Sequence, residues 1–83
     1  MPKLLPTSRD KTRAIFLVYE ADTYLRARRP EQAAAAAQRS LSLSTRIGAP
    51  RCVAMTRDLL PAFRPYTTAQ GVPDLMRALT LAG

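Results

Sequence analysis

The 83-residue sequence predicts an all-α fold of four helices, arranged as two antiparallel αα-hairpins. Three observations carry that reading. Residues 7–29 run without glycine or proline, and within them Ala14, Leu17, Val18, Ala21, Tyr24 and Leu25 recur at the spacing of one helical face. The following segment holds five consecutive alanines at 33–37, the residue of highest helix propensity. Around it Gly48 and most of the prolines fall where helices would begin or end: Pro30, Pro50, Pro61 and Pro73.

Taken in order, residues 1–7 read as an extended lead-in, because Pro2 and Pro6 each oppose helix in the residue before them. Thr7 and Asp10 have the spacing of a capping box, which places the first helix at about residues 8–28. Asp22 and Arg26 add an ion pair in the favourable acid-first i, i+4 order. The stretch AIFLVY at 14–19 is rich in β-formers, but its flanks contain no turn residue and the apolar stripe continues through them in register. It is therefore read as helix.

Arg29 and Pro30 separate this helix from the next. Pro30 suits a first helical position, where its missing N–H costs nothing, and Glu31 suits the positive end of the helix dipole. The second helix should run to about Ile47, with Arg46 in its last turn, Gly48 in the left-handed conformation beyond its end and Pro50 after it. Helices joined by so short a link must lie antiparallel. The alanine run then has a purpose: Ala33, Ala36, Ala37, Ser40, Leu41 and Ser44 make a groove of small residues that admits Leu17, Val18, Tyr24 and Leu25. The SLSLS alternation follows the alanines without a break and is read as the same helix.

A third helix is expected over about residues 50–60, with Cys52, Met55, Leu59, Ala62 and Phe63 along one face and Pro61 ending or kinking it. AFRPYTTAQ reads as a loop. Val72, Pro73 and Asp74 open a last helix with Val72, Leu75, Met76, Leu79 and Ala82 on one side. The chain is thus expected to be one helical domain, with a first hairpin at 8–47 and a second, degenerate or capping hairpin at 50–82.

Composition narrows the function. The formal charge is +7, from 13 basic residues, 11 of them arginines, against six acids. An arginine excess attracts phosphates and acidic partners through its fixed guanidinium fork. Enrichment in Ala, Arg and Pro is also what high-GC coding produces, and these arginines are scattered with no aromatic residues interleaved for base stacking. With one cysteine and no histidine there is no disulfide framework, no ordinary zinc site and no histidine-activated nucleophile. Glu20 and Asp22 lie i, i+2 and diverge, so they make no catalytic carboxylate pair, and three glycines make no phosphate loop. The expectation is a protein that is not an enzyme and uses no cofactor or metal. AIFLVY is too short to span a bilayer and the N-terminus lacks a secretory h-region, so no membrane contact and a cytoplasmic location are expected.

The first hairpin resembles a tetratricopeptide repeat. With Ala33 at the small-residue position that opens the second helix, Leu17 stands at the place of the family's large aromatic, Ala21 at that of its glycine, Tyr24 at that of its tyrosine and Ser40 at that of its second small residue. Glu20, Ala37, Arg28 and Thr45 depart from the pattern, standing where the family has leucine, an aromatic, the turn glycine and proline. RIGAPRCVAMTRDLLPAFRPY and GVPDLMRAL are also similar to the C-terminal helical-repeat ends of actinobacterial transcription regulators.

The resemblance implies an interaction module in a regulatory system that binds a protein or peptide partner. Its groove-facing residues would be Ile15, Val18, Asp22, Leu25 and Arg26, with the charged pair orienting a ligand and the apolar residues contacting it. On the plainer reading, Val18 and Leu25 are core and Asp22 with Arg26 is a surface pair worth a few tenths of a kcal/mol. Arg26, Arg28 and Arg29, at the hairpin tip, are the densest positive patch and the candidate anion contact. They support the alternative of a basic nucleic-acid binder acting through phosphates. Two hairpins fall short of the three or more repeats that bury a continuous core, so an apolar flank should be left for a homo-oligomer partner or for the rest of a longer parent protein. Cys52 beside Arg51 could be a reactive thiol, but a small buried residue is the expected role.

Overall fold

A computed structural model describes residues 4–82, with side chains described from Arg9 to Leu81. Helix α1 runs Leu4–Arg26 and α2 runs Pro30–Arg46. They are followed by α3 (Pro50–Arg57), the single turn α4 (Leu60–Phe63), a 3-10 turn at Arg64–Tyr66, and α5 (Val72–Ala82). The protein is all-α, and among the described residues there is no strand. AIFLVY lies in the middle of α1, because the helical stripe on both sides of it outweighs the local preference for strand.

The turn from α1 to α2 and the turn from α2 to α3 have the same backbone. In the first, the Arg28 N–H donates to the Leu25 carbonyl at 3.0 Å and the Arg29 N–H to the Tyr24 carbonyl at 2.8 Å. In the second, the Gly48 N–H donates to the Thr45 carbonyl at 3.3 Å and the Ala49 N–H to the Ser44 carbonyl at 2.8 Å. Both are Schellman closures, which need a left-handed residue just beyond the helix. Arg28 has φ 61° and Gly48 has φ 66°. A proline then opens each following helix, Pro30 and Pro50, its ring supplying the φ that the first turn requires. The chain therefore reverses twice by one device. In the first turn the device carries a strained arginine where glycine would fit without cost.

A buried polar junction sets how the first three helices meet. Ser40 Oγ of α2 donates to the Ala14 carbonyl of α1 at 3.0 Å and lies 3.1 Å from Thr56 Oγ1 of α3. Thr56 Oγ1 in turn lies 3.0 Å from the Cys52 carbonyl, which accepts from it. All of Ala14, Ser40 and Thr56 are fully buried. Each hydroxyl has a single proton, so the two hydroxyls can satisfy only two of these three contacts at a time. The Ser40 to Ala14 bond fixes the register of the hairpin and brings Arg46 beside the turn of α1 that holds Arg9.

Four of the five alanines are buried, Ala33, Ala34, Ala36 and Ala37, and only Ala35 is exposed. Large side chains meet them from two directions, although of the four expected from α1 only Leu25, with Tyr24 half-buried beside it, joins this cluster, and Leu17 and Val18 do not. Ala21 and Leu25 come from α1, while Phe63 of α4 and Val72, Leu75 and Leu79 of α5 join the same cluster. α2 is thus the central helix, packed by α1, α3 and α5. The backbone before α5 comes so close to it that a Cβ at Gly71 would lie 3.4 Å from Ala34 Cβ, and Gly71 has φ 89°. Phe63, the largest fully buried side chain, fills the space under the alanines. Truncating it to alanine would cost about 3–5 kcal/mol, a large share of the roughly 5–15 kcal/mol typical of a domain.

Several boundaries differ from the sequence reading. α1 begins at Leu4, so the extended lead-in is at most residues 1–3, which lie outside the described residues. Pro6 falls in the first helical turn, where a proline removes no hydrogen bond. Thr7 is accordingly inside the helix, and its spacing with Asp10 does not mark the N-terminus. α1 ends at Arg26 because the Schellman closure takes residues 27–29. α3 ends at Arg57, and Pro61 opens α4 instead of ending α3, a role its ring fits equally well. The expected loop at 62–70 is therefore helical as far as Tyr66.

Backbone strain and a buried hydroxyl give three stability predictions. Arg28→Gly should raise stability by about 1 kcal/mol, and Gly48→Ala, with open space around it, should lower it by a similar amount through backbone strain alone. Ser44 is fully buried and its Oγ has no hydrogen-bond partner among the described residues. Ser44→Ala should therefore stabilise by about 1 kcal/mol, a rise of about 4–8 °C in Tm by thermal circular dichroism. A loss of stability in Ser44→Ala would show that the hydroxyl is engaged.

Candidate docking face of the first hairpin

On the outer side of the first hairpin, one face of α1 presents Arg9, Arg13, Phe16 and Glu20 at i, i+4, i+7 and i+11. The facing edge of α2 presents Arg39, Ser42 and Arg46 at i, i+3 and i+7. Between them lies an open groove of about 770 Å³, lined by α1 and α2 alone. Leu17 and Leu43 form its floor, the second of them buried beneath by the α2–α3 contact with Ala49 and Cys52. Phe16 stands over the groove 64% exposed, and Tyr19, one helical turn along, is 58% exposed. Among the described residues these two and Leu81, near the end of α5, are the exposed large hydrophobic side chains, and only Phe16 lies on the groove.

The charge of the groove is lopsided. Arg9, Arg13, Arg39 and Arg46 face two carboxylates, Asp10 and Glu20. Among the described residues none of these four guanidinium groups is in an ion pair, the two such pairs being Arg26–Asp22 at 3.0 Å and Arg77–Asp74 at 3.9 Å. Arg9 and Arg13 are like charges at i, i+4, an arrangement that disfavours the helix by a few tenths of a kcal/mol. The groove thus pairs an apolar floor with basic rims, a combination suited to holding an amphipathic segment.

The residues singled out from sequence do not converge on one open surface. Val18 and Leu25 are buried, and Leu25 belongs to the main core. Ile15 is half-buried against the cluster of Ala14, Leu43, Ala49 and Cys52. Asp22 and Arg26 form the expected surface pair, the Arg26 Nε donating to Asp22 Oδ2 at 3.0 Å, with Arg26 80% exposed. Arg28 and Arg29 are exposed at the hairpin tip, away from the groove. Cys52 is buried, as its packing role requires.

The basic groove itself went unread in the sequence. Its α1 half was visible as the 9, 13, 16, 20 spacing, but the α2 half joins it only through the register that Ser40 and Ala14 set. No family model matches the chain, nor does any curated protein or solved structure.

The exposure of Phe16 has a direct test. Phe16→Ser should leave the urea midpoint within about 0.5 kcal/mol of wild type, whereas Leu25→Ala should lose about 2–5 kcal/mol. Comparable losses in the two variants would mean that Phe16 is part of the core.

Proposed function

We propose that the protein is a non-catalytic helical interaction module, tetratricopeptide-like in build, that docks a protein or peptide partner within a regulatory system. The observation that carries this reading is the outer face of the first hairpin, where Phe16 and Tyr19 are exposed beside an apolar floor that no described element covers. In stacked-hairpin proteins each hairpin buries its two flanks against neighbours. Here α3 packs on one side of the first hairpin, and among the described residues no element packs on the groove side. The repeat-like build is supported by the small residues at Ala33 and Ser40 in the helix interface and by the matched turns at Arg28 and Gly48. Among the described residues no helix is long and apolar enough to cross a membrane, and a single unpaired cysteine suits a cytoplasmic location.

The basic charge keeps a nucleic-acid reading in play, with the exposed Arg28 and Arg29 as phosphate contacts. One experiment separates the two. A photoactivatable phenylalanine analogue placed at position 16 in cells of the source organism should yield one discrete protein adduct, and the same group at exposed Thr67 should not. Indistinguishable adducts at both positions, or adducts to nucleic acid, would overturn the docking-module reading.

A further inference from the structure

We infer that the groove between the outer faces of α1 and α2 takes an acidic amphipathic helix from a partner protein. This inference rests on the docking-module reading and names its ligand. From Arg9 to Glu20 the groove follows α1 for about 17 Å, the length of roughly three helical turns. Phe16, Leu17 and Leu43 supply an apolar line for side chains spaced i, i+3 or i+4, and i+7 on the occupant. Arg9 and Arg13 on one rim, with Arg39 and Arg46 on the other, place guanidinium groups beside both polar flanks of such a helix. There carboxylates would form charge-assisted, bidentate hydrogen bonds. Glu20 marks the end nearer the α1–α2 turn, where the occupant would carry a basic or neutral residue, so the charge pattern also sets its direction.

Charge decides against the other occupants. A second copy of the chain is itself at +7 and offers no acidic ridge: of its six acids Asp10 and Glu20 line this same groove, and Asp22 and Asp74 are each paired with an arginine on their own helix. Glu31 and Asp74 line a cleft between α2 and the start of α5, next to the groove and sharing Gln38 with it, and Asp58 lies in the turn after α3. A nucleic-acid backbone would gain nothing from the Leu17 and Leu43 floor and would meet the Asp10 and Glu20 carboxylates. An acidic helix uses the Leu17 and Leu43 floor and, unlike a uniformly charged backbone, can set neutral or basic residues opposite Asp10 and Glu20 while its carboxylates meet the arginines.

The test is a fluorescence anisotropy titration of the full chain with three labelled probes. They are a synthetic helix of about 18 residues with leucines at i, i+3, i+4 and i+7 and glutamates on both flanks, the same peptide with lysine for glutamate, and a mixed-sequence DNA duplex. The glutamate peptide should bind, and its affinity should fall at least about tenfold with Arg13→Glu plus Arg39→Glu, and again with Phe16→Ser, all at exposed positions, with folding checked by circular dichroism. The lysine peptide should not bind. Equal binding of the two peptides with sensitivity to Phe16→Ser would overturn the acidic assignment while leaving a docking groove in place. Preference for the duplex would overturn the inference in favour of phosphate binding. Failure of both peptides overturns the inference, and failure of crosslinking at position 16 as well removes the docking module with it.

Discussion

The structure depends on how closely three other helices approach α2. Helix axes usually lie 8–10 Å apart, and the side chains at the contact decide where in that range a pair falls. Alanine and serine allow the close end of the range, and alanine loses no rotamer freedom on burial. The small side of α2 contributes little apolar area itself, so the hydrophobic stabilisation comes from the large partners that it admits, Leu25, Phe63, Leu75 and Leu79. The same proximity lets hydroxyls as short as those of Ser40 and Thr56 reach across helices. A longer residue at position 40 would push α1 and α3 away together, since both touch the same hydroxyl.

Once α1, α3 and α5 have claimed α2, little of its surface is left, and that remainder is where the arginines stand. Ala35, Arg39, Ser42 and Arg46 follow one another along its exposed side. Three of these line the groove with α1. The groove is therefore a product of the packing: the inward face of α2 consists of small residues because it is crowded, and the outward face is free to carry charge. Its arginines have no acidic partners among the described residues, and its one aromatic residue, Phe16, is 64% exposed.

Most of the fold was legible because it follows from local rules. The 3.6-residue stripe of Ala14 through Leu25, Pro30 at a helix start, and Gly48 beyond a helix end each act within a turn or two, and each held. The small-residue face of α2 was legible for the same reason, although its second neighbour, α5, was not: nothing within a few residues of Ala34 announces Gly71 or Val72. Prolines misled where their chemistry is two-sided. Pro6 and Pro61 can either end a helix or open one, and here both lie in first turns. Val18 and Leu25 were visible as apolar residues, but whether such residues face a partner or a core depends on which neighbour arrives, and here it was the core. The groove was half legible, since its two walls are joined by tertiary register and not by sequence spacing.

The closeness of α2 to its neighbours is tested most directly by comparing Ala37→Leu with Ala35→Leu in urea unfolding. The two positions are neighbours on one helix with nearly equal propensity effects, but Ala37 is fully buried and Ala35 is exposed. Overpacking at 37 should cost about 1–3 kcal/mol or more, with Ala35→Leu within about 0.5 kcal/mol of wild type. Equal midpoints for the two variants would mean that the alanine face has room to spare, and that small residues are not what brings these helices together.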